Sequence, residues 1–178
     1  MKPKIFIDST SNRLVFAIIK NNENIIENIE TNKNMTEIFV SKLENFLKIN
    51  KISKKDIHEL YIVNGPGNFT GTRIGCVFAN TLRIINNVNL FSISSCKFQK
   101  TKEDEISIID AKSNLFYVIK DKKIVMLPYS EIEKIANEKG MSIINKYLEY
   151  DFNNCWAFNK NKFDSVEEVI PNYIKSVI

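Results

Sequence analysis

Tyr61-Ile-Val-Asn-Gly-Pro-Gly-Asn-Phe-Thr-Gly-Thr-Arg-Ile-Gly75 holds four of the five glycines of a 178-residue chain, Gly65, Gly67, Gly71 and Gly75. Glycine weakens regular elements and is useful where φ must be positive or a second backbone comes close. Its crowding here marks a place where geometry outranks local stability. Upstream, Leu60-Tyr61-Ile62-Val63 is a short apolar run of buried-strand type. Downstream, Ile74, Val77, Phe78, Leu82 and Ile85 follow a helical stripe and predict the core-facing side. The glycines therefore sit at a strand-to-helix turn, with Asn68 or Thr70 as the N-cap.

Strand, glycine turn and helix together suggest phosphate binding, but the nucleotide motifs fail. A Walker A loop needs Gly-Lys-Ser/Thr so that a lysine reaches the phosphates; here Gly71 is followed by Thr72-Arg73. A dinucleotide fingerprint needs G-x-G-x-x-G, and Gly65, Gly67 and Gly71 are one residue too widely spaced. The ribose-binding acid expected about twenty residues on is replaced by Ile84-Ile-Asn-Asn-Val-Asn89.

Asn64-Gly-Pro-Gly-Asn-Phe-Thr-Gly-Thr-Arg-Ile-Gly75 instead resembles the signature of the bacterial TsaB (YeaZ) family, G-P-G-S-F-T-G-L-R-I-G. Asn68 and Thr72 depart from it at the Ser and Leu positions. Ile5-Phe-Ile-Asp-Ser-Thr10, Ser92-Ile-Ser-Ser95, Ile109-Asp-Ala-Lys112 and Pro171-Asn-Tyr-Ile-Lys175 keep the register. The likeness is dense over the first 95 residues and sparse afterwards. It implies an α/β, actin-like (ribonuclease H-like) two-lobe fold with a shortened second lobe, divided as 1–96 and 97–178. It also implies a catalytically silent protein without a cofactor. Its role would be partner and activator of TsaD in forming threonylcarbamoyladenosine next to the tRNA anticodon. TsaE is a further candidate partner, tRNA is reached indirectly, and a homodimer is an open alternative for the isolated chain. The competing class is a self-sufficient kinase, ATPase or peptidase of the same superfold.

Composition sets the bounds. With 44% apolar residues and 12 Phe, the chain can build a core. A net charge of +4 is mildly basic, and its lysine groups (Lys51, Lys54, Lys55; Lys97, Lys100, Lys102; Lys120, Lys122, Lys123) alternate with acids as on a solvated surface. Cys76, Cys96 and Cys155 are widely separated and lack C-x-x-C spacing. Lys2-Pro3-Lys4 leads into a strand, and no apolar run reaches membrane-spanning length. A cytoplasmic protein with reduced thiols is expected. His58 is the only histidine, so no His-pair metal site is available.

The element pattern predicts a meander of strands at 4–8, 14–20 and 24–31, then a helix capped by Thr36 and running to about Asn50. Strand 59–64, helix 70–86 and strand 90–93 complete the first lobe, and the charged run 97–105 marks the boundary. The second lobe is expected as strands 106–110, 115–120 and 123–127, helices 129–138 and 142–148, a strand over Cys155–Phe158 and a turn near 165–168.

Actin-like ATPases hold phosphates on two hairpin turns, usually of D-x-G-[ST] type. Asp8-Ser-Thr-Ser11 and Asp110-Ala-Lys-Ser113 occupy those positions without the glycine. Each Asp can cap its own turn or hold a hydrated cation. Cys76 as a nucleophile would need a nearby base. The glycine motif, with Pro66, is expected to be structural, with strained positive φ at Gly67. Both first-lobe helices carry surface beyond one core stripe, which predicts a partner-docking site. Its expected residues are Met35, Ile38, Phe39, Lys42 and Phe46 on the first helix. On the second they are Phe69, Thr72, Arg73, Cys76, Ala79, Asn80 and Arg83. The small Thr72, Cys76 and Ala79 are assigned outward, where they would let a TsaD helix approach closely.

Overall fold

The computed structural model describes residues 2–21, 23–31, 34–145 and 150–174. Its first half runs β1 (Lys4–Asp8), β2 (Arg13–Ile19), β3 (Ile25–Glu30), α1 (Met35–Ile49), β4 (Glu59–Val63), α2 (Phe69–Asn86), β5 (Asn89–Ile93) and the short α3 (Ser95–Phe98). Its second half runs β6 (Glu105–Ser107), β7 (Ile109–Lys112), β8 (Leu115–Lys120), β9 (Lys123–Pro128), α4 (Tyr129–Lys139), β10 (Ser142–Ile144), α5 (Phe152–Asn159) and β11 (Asp164–Val166).

The large sheet has the order β3-β2-β1-β4-β5-β11. β1, β4 and β5 are parallel neighbours, and β2 runs antiparallel between β1 and β3. This is the α/β, ribonuclease H-like arrangement expected from the resemblance. The central strands read as continuous apolar runs because both faces are covered. Side chains alternate between the faces. Ile5, Ile7, Leu60 and Ile62 join Phe39, Leu43 and Leu82 under α1 and α2. Phe6, Tyr61 and Val63 point the other way and join Phe98, Phe152 and Cys155.

The second half departs from expectation. Cys155–Phe158 is not a strand but part of α5, capped by Asp151, whose carboxylate accepts from Asn154 N. Phe152, Cys155 and Asn159 are its buried residues, a helical spacing that a four-residue apolar window conceals. The helix expected over 142–148 begins instead as β10, because Gly140 ends α4 in the left-handed conformation (φ +62°); residues 146–148 lie outside the described residues. The expected turn near 165 is β11, paired with β5. Strand 106–110 is split into β6 and β7. Asn34, not Thr36, precedes the first turn of α1 and makes no side-chain cap. Residues 105–144 build the three-stranded β7-β8-β9 sheet and the β6-β10 pair, whereas residues 152–169 return to the large sheet and its cores.

Glycine scarcity has a visible consequence at the hairpins. Lys112 at the end of β7, Ser113 and Asn114 between β7 and β8, and Asp121 and Lys122 between β8 and β9 all have positive φ. Two-residue hairpin loops require that conformation, and ordinary residues supply it here.

Candidate functional site

The glycine turn joins β4 to α2, and Asn68 caps the helix by accepting from Gly71 N at 2.9 Å. Positive φ falls on Gly65 (+96°), not on Gly67, which corrects the expectation. Gly71 and Gly75 serve close approach. A Cβ on Gly71 would lie 1.9 Å from the carbonyl oxygen of Ser9, and one on Gly75 would lie 2.6 Å from Ser9 Oγ. Ser9 Oγ donates to Gly71 O at 2.8 Å, and Asn68 N donates to Thr10 O at 2.5 Å. The start of α2 therefore lies directly on the β1–β2 turn, the position that carries the first phosphate hairpin in actin-like ATPases.

In that turn Asp8 is buried, and both oxygens of its carboxylate accept hydrogen bonds. Oδ1 accepts from Thr10 N (2.9 Å) and Thr10 Oγ1 (2.6 Å), and Oδ2 accepts from Tyr150 Oη (2.8 Å). Ser95 Oγ extends the network by donating to Thr10 Oγ1 at 3.2 Å. Burial pushes the Asp8 carboxyl above its ordinary value, with the Thr10 and Tyr150 hydrogen bonds pulling the other way. Asp110 is exposed, and its Oδ1 accepts from Lys112 N at 2.8 Å, a local turn contact.

The three cysteines are buried and joined by no disulfide. Burial pushes the Cys76 and Cys96 thiols up to about 12, which leaves little of the reactive thiolate at neutral pH. Among the described residues no group of three or more His, Cys, Asp or Glu side chains could hold a metal ion. No helix among them is long and apolar enough to cross a membrane.

Helix α2 keeps part of the expected core stripe, with Leu82 buried and Ile74 and Phe78 half-buried against the core, but departs from it elsewhere. Gly71, Thr72, Gly75, Cys76, Ala79 and Leu82 form its buried side, with Ala79 at 0% exposure. Val77, Ile84 and Ile85, taken from the sequence as core or left unassigned, stand 60%, 84% and 71% exposed. Where the helix starts, its close approach to Ser9 admits only small side chains, while Leu82, Ile74 and Phe78 fill the core beside α1. Thr72, Cys76 and Ala79 are therefore not surface residues. Neither are Met35, Phe39 and Phe46 of α1, which pack in the core.

Two more expected docking residues are engaged within the chain. Asn80 exchanges hydrogen bonds with the Val169 backbone, Nδ2 to O at 3.1 Å and Val169 N to Oδ1 at 2.8 Å. Arg83 donates to Val88 O at 3.1 Å and pairs with Glu167. Of the expected set, Phe69, Arg73 and Lys42 are exposed and Ile38 is half-buried. The Arg73 guanidinium sits 4.4 Å from the centroid of the Phe69 ring. Val77, Ile84 and Ile85 are exposed apolar side chains of α2, and α1 adds exposed Val40 and Ile49; the Phe69 ring meets that of Tyr173 at 5.0 Å. The missed residues were legible in the spacing Gly71-x-x-x-Gly75, because two glycines one turn apart require a close neighbour on their own side.

Residues 23–173 match the profile of the family described as TsaD: tRNA N6-adenosine threonylcarbamoyltransferase. The uncharacterized MG208 homolog of Mycoplasma pneumoniae is 29% identical over 178 residues, which cover 98% of this chain and 87% of that one. The uncharacterized protein MG208 of Mycoplasma genitalium is 32% identical over 120 residues, 65% of this chain and 61% of that one. Two solved structures share the fold. One is an uncharacterized protein with similarity to peptidase YEAZ from Pseudomonas aeruginosa (TM-score 0.74, 13% identity, 98% of this chain and 100% of that one). The other is YeaZ from Pseudomonas aeruginosa (TM-score 0.70, 12% identity, with the same coverage).

Proposed function

Because the chain belongs to the family of TsaD, the tRNA N6-adenosine threonylcarbamoyltransferase, we propose that it serves tRNA modification as a non-catalytic partner of a TsaD-type transferase. The observation that carries this reading is the outward face of α2. Val77, Ile84 and Ile85 are large, apolar and more than half exposed, while the same helix is seated on the sheet through its small side. Several large apolar side chains exposed along one helix suit a protein-docking surface. A partner that lays a helix along α2, with α1 beside it, would bury these side chains, and Arg73 and Lys42 would stand at the rim.

The state of Asp8 supports the absence of intrinsic phosphoryl-transfer chemistry. A carboxylate that accepts three hydrogen bonds and lies beneath Tyr150 has little capacity left for a hydrated cation. The raised thiols of Cys76 and Cys96 likewise suit packing rather than nucleophilic attack.

The test is a reconstituted transfer reaction. Purified TsaD-type transferase, threonylcarbamoyl donor and tRNA are assayed with and without this chain, and the chain alone is assayed for ATP and peptide hydrolysis. Stimulation of transfer with no turnover by the chain alone is expected. Steady-state hydrolysis by the chain, lost in Asp8→Ala, would instead establish it as an enzyme.

A further inference from the structure

We propose that the cavity between the carboxyl ends of β4 and β5, α3 and the β8–β9 turn binds a phosphate ester. No residue of α1 or α2 lines it, so the site is separate from the docking face. It has a volume of about 310 Å³, and three lysines reach it from two distant parts of the sequence: Lys97 of α3, and Lys122 and Lys123 of the hairpin. The only acid on its wall is Asp164, and none of the three lysines forms an ion pair among the described residues. Unneutralised ammonium groups gathered at one concavity favour an anion, and lysine serves phosphate as a mobile point charge.

Two buried polar atoms give the cavity a further feature. Asn64 Oδ1 and Ser94 Oγ have no hydrogen-bond partner, which is rare for buried groups. The Asn64 amide is fixed in orientation, because its Nδ2 donates to Ile170 O at 3.0 Å. Its Oδ1 is therefore an acceptor without a donor, and Ser94 Oγ is free to donate. Both residues follow directly on parallel strands, at the carboxyl edge where open α/β sheets bind ligands. A ligand with an anionic phosphate and a neighbouring hydroxyl satisfies the whole set. The phosphate takes the lysines and, after a small side-chain shift that uncovers these two buried atoms, the Ser94 hydroxyl, while the ligand O–H donates to Asn64. Ribose phosphate has this chemistry, whether in a free ribonucleotide or in an RNA strand. The cavity is at the small end of ligand-site volumes, about 300–1,000 Å³, and holds the sugar phosphate rather than a whole nucleoside triphosphate.

The experiment is calorimetric titration of the full chain at about 0.15 M salt, where distant charges are screened within about 8 Å, with ribose 5-phosphate and, separately, with an RNA stem-loop. The variants are Lys122→Gln/Lys123→Gln and Ser94→Ala. The control is Lys2→Gln/Lys20→Gln, which removes the same charge from the cavity at the opposite end of β1. The hairpin pair should weaken binding by about ten-fold or more, and Ser94→Ala by about five-fold, as for charge-assisted and neutral hydrogen bonds. The control should stay within about two-fold of wild type, since its two lysines line a different cavity and not this one. Melting curves of the variants should fall no lower than wild type, because each altered group lacks a partner in the folded chain. That pattern with ribose 5-phosphate assigns the site to a free metabolite; the same pattern with the stem-loop alone assigns it to RNA. Absence of binding by either probe, or equal weakening by the control, overturns the proposal.

Discussion

The two faces of α2 differ in side-chain size as much as in apolarity. The inner face carries Gly71, Thr72, Gly75, Cys76 and Ala79 with Leu82 beyond them, and the outer face carries Val77, Ile84 and Ile85. Where the helix meets Ser9, size rather than apolarity decides which side goes in. The turn at Ser9 leaves no room for a Cβ at Gly71, and the sheet already supplies Ile5, Ile7, Leu60 and Ile62 to the core. Large side chains are then left for the outside, where only a second surface can remove them from water.

Substitutions can break or sharpen this contrast. The largest effect is expected from Ala79→Arg, which forces a charge into a site with no exposure. It should cost about 4 kcal/mol or more and abolish cooperative folding in a denaturant melt. Next comes Gly71→Ala, whose methyl group would meet a backbone oxygen at 1.9 Å. The backbone cannot turn aside, so a loss of about 3 kcal/mol is expected. Gly75→Ala meets only Ser9 Oγ, which can rotate away at the expense of its hydrogen bond, and should cost about 1 kcal/mol. Equal melting midpoints for the two glycine variants would show that contact with the Ser9 backbone is not what sets the seat of the helix.

A smaller effect comes from Asp8 below α2. Burial holds its folded-state carboxyl above the ordinary 3.8, so the folded chain binds that proton more tightly than the unfolded chain. Ionised Asp8 thus opposes folding at neutral pH. Stability recovers as pH falls through the folded value and levels off below the unfolded one. Asp8→Asn has no such proton. The difference in unfolding free energy between this variant and wild type should therefore shift in favour of wild type on acidification toward 3.8. A difference that stays constant with pH would contradict the burial of the charge.

Much of the first half was legible in the sequence. The apolar runs of β1, β4 and β5, the cap at Asn68 and the glycine turn all follow from local patterns, and the family likeness gave their order. The sides of α2 were not legible from periodicity, because an apolar stripe and a stripe of small residues compete for the same core. Only the chain passing at Ser9, sixty-two residues away from Gly71, decides between them. The second half was read less well for a related reason. The helical face of α5 becomes apparent only from Phe152 to Asn159, and the pairing of β11 with β5 joins segments far apart in sequence. The lone acceptor of Asn64 and the unpaired hydroxyl of Ser94 had no sequence signal at all.

The central claim is that the outer face of α2 docks a partner while the inner face holds the fold. Val77→Arg tests it most directly, by calorimetric titration against purified TsaD-type transferase alongside a melting curve. The variant should melt within about 0.5 kcal/mol of wild type, as for an exposed substitution, and lose binding by about 100-fold or more, as for a charge buried in an apolar contact. Wild-type affinity in a normally folded Val77→Arg protein would contradict the account.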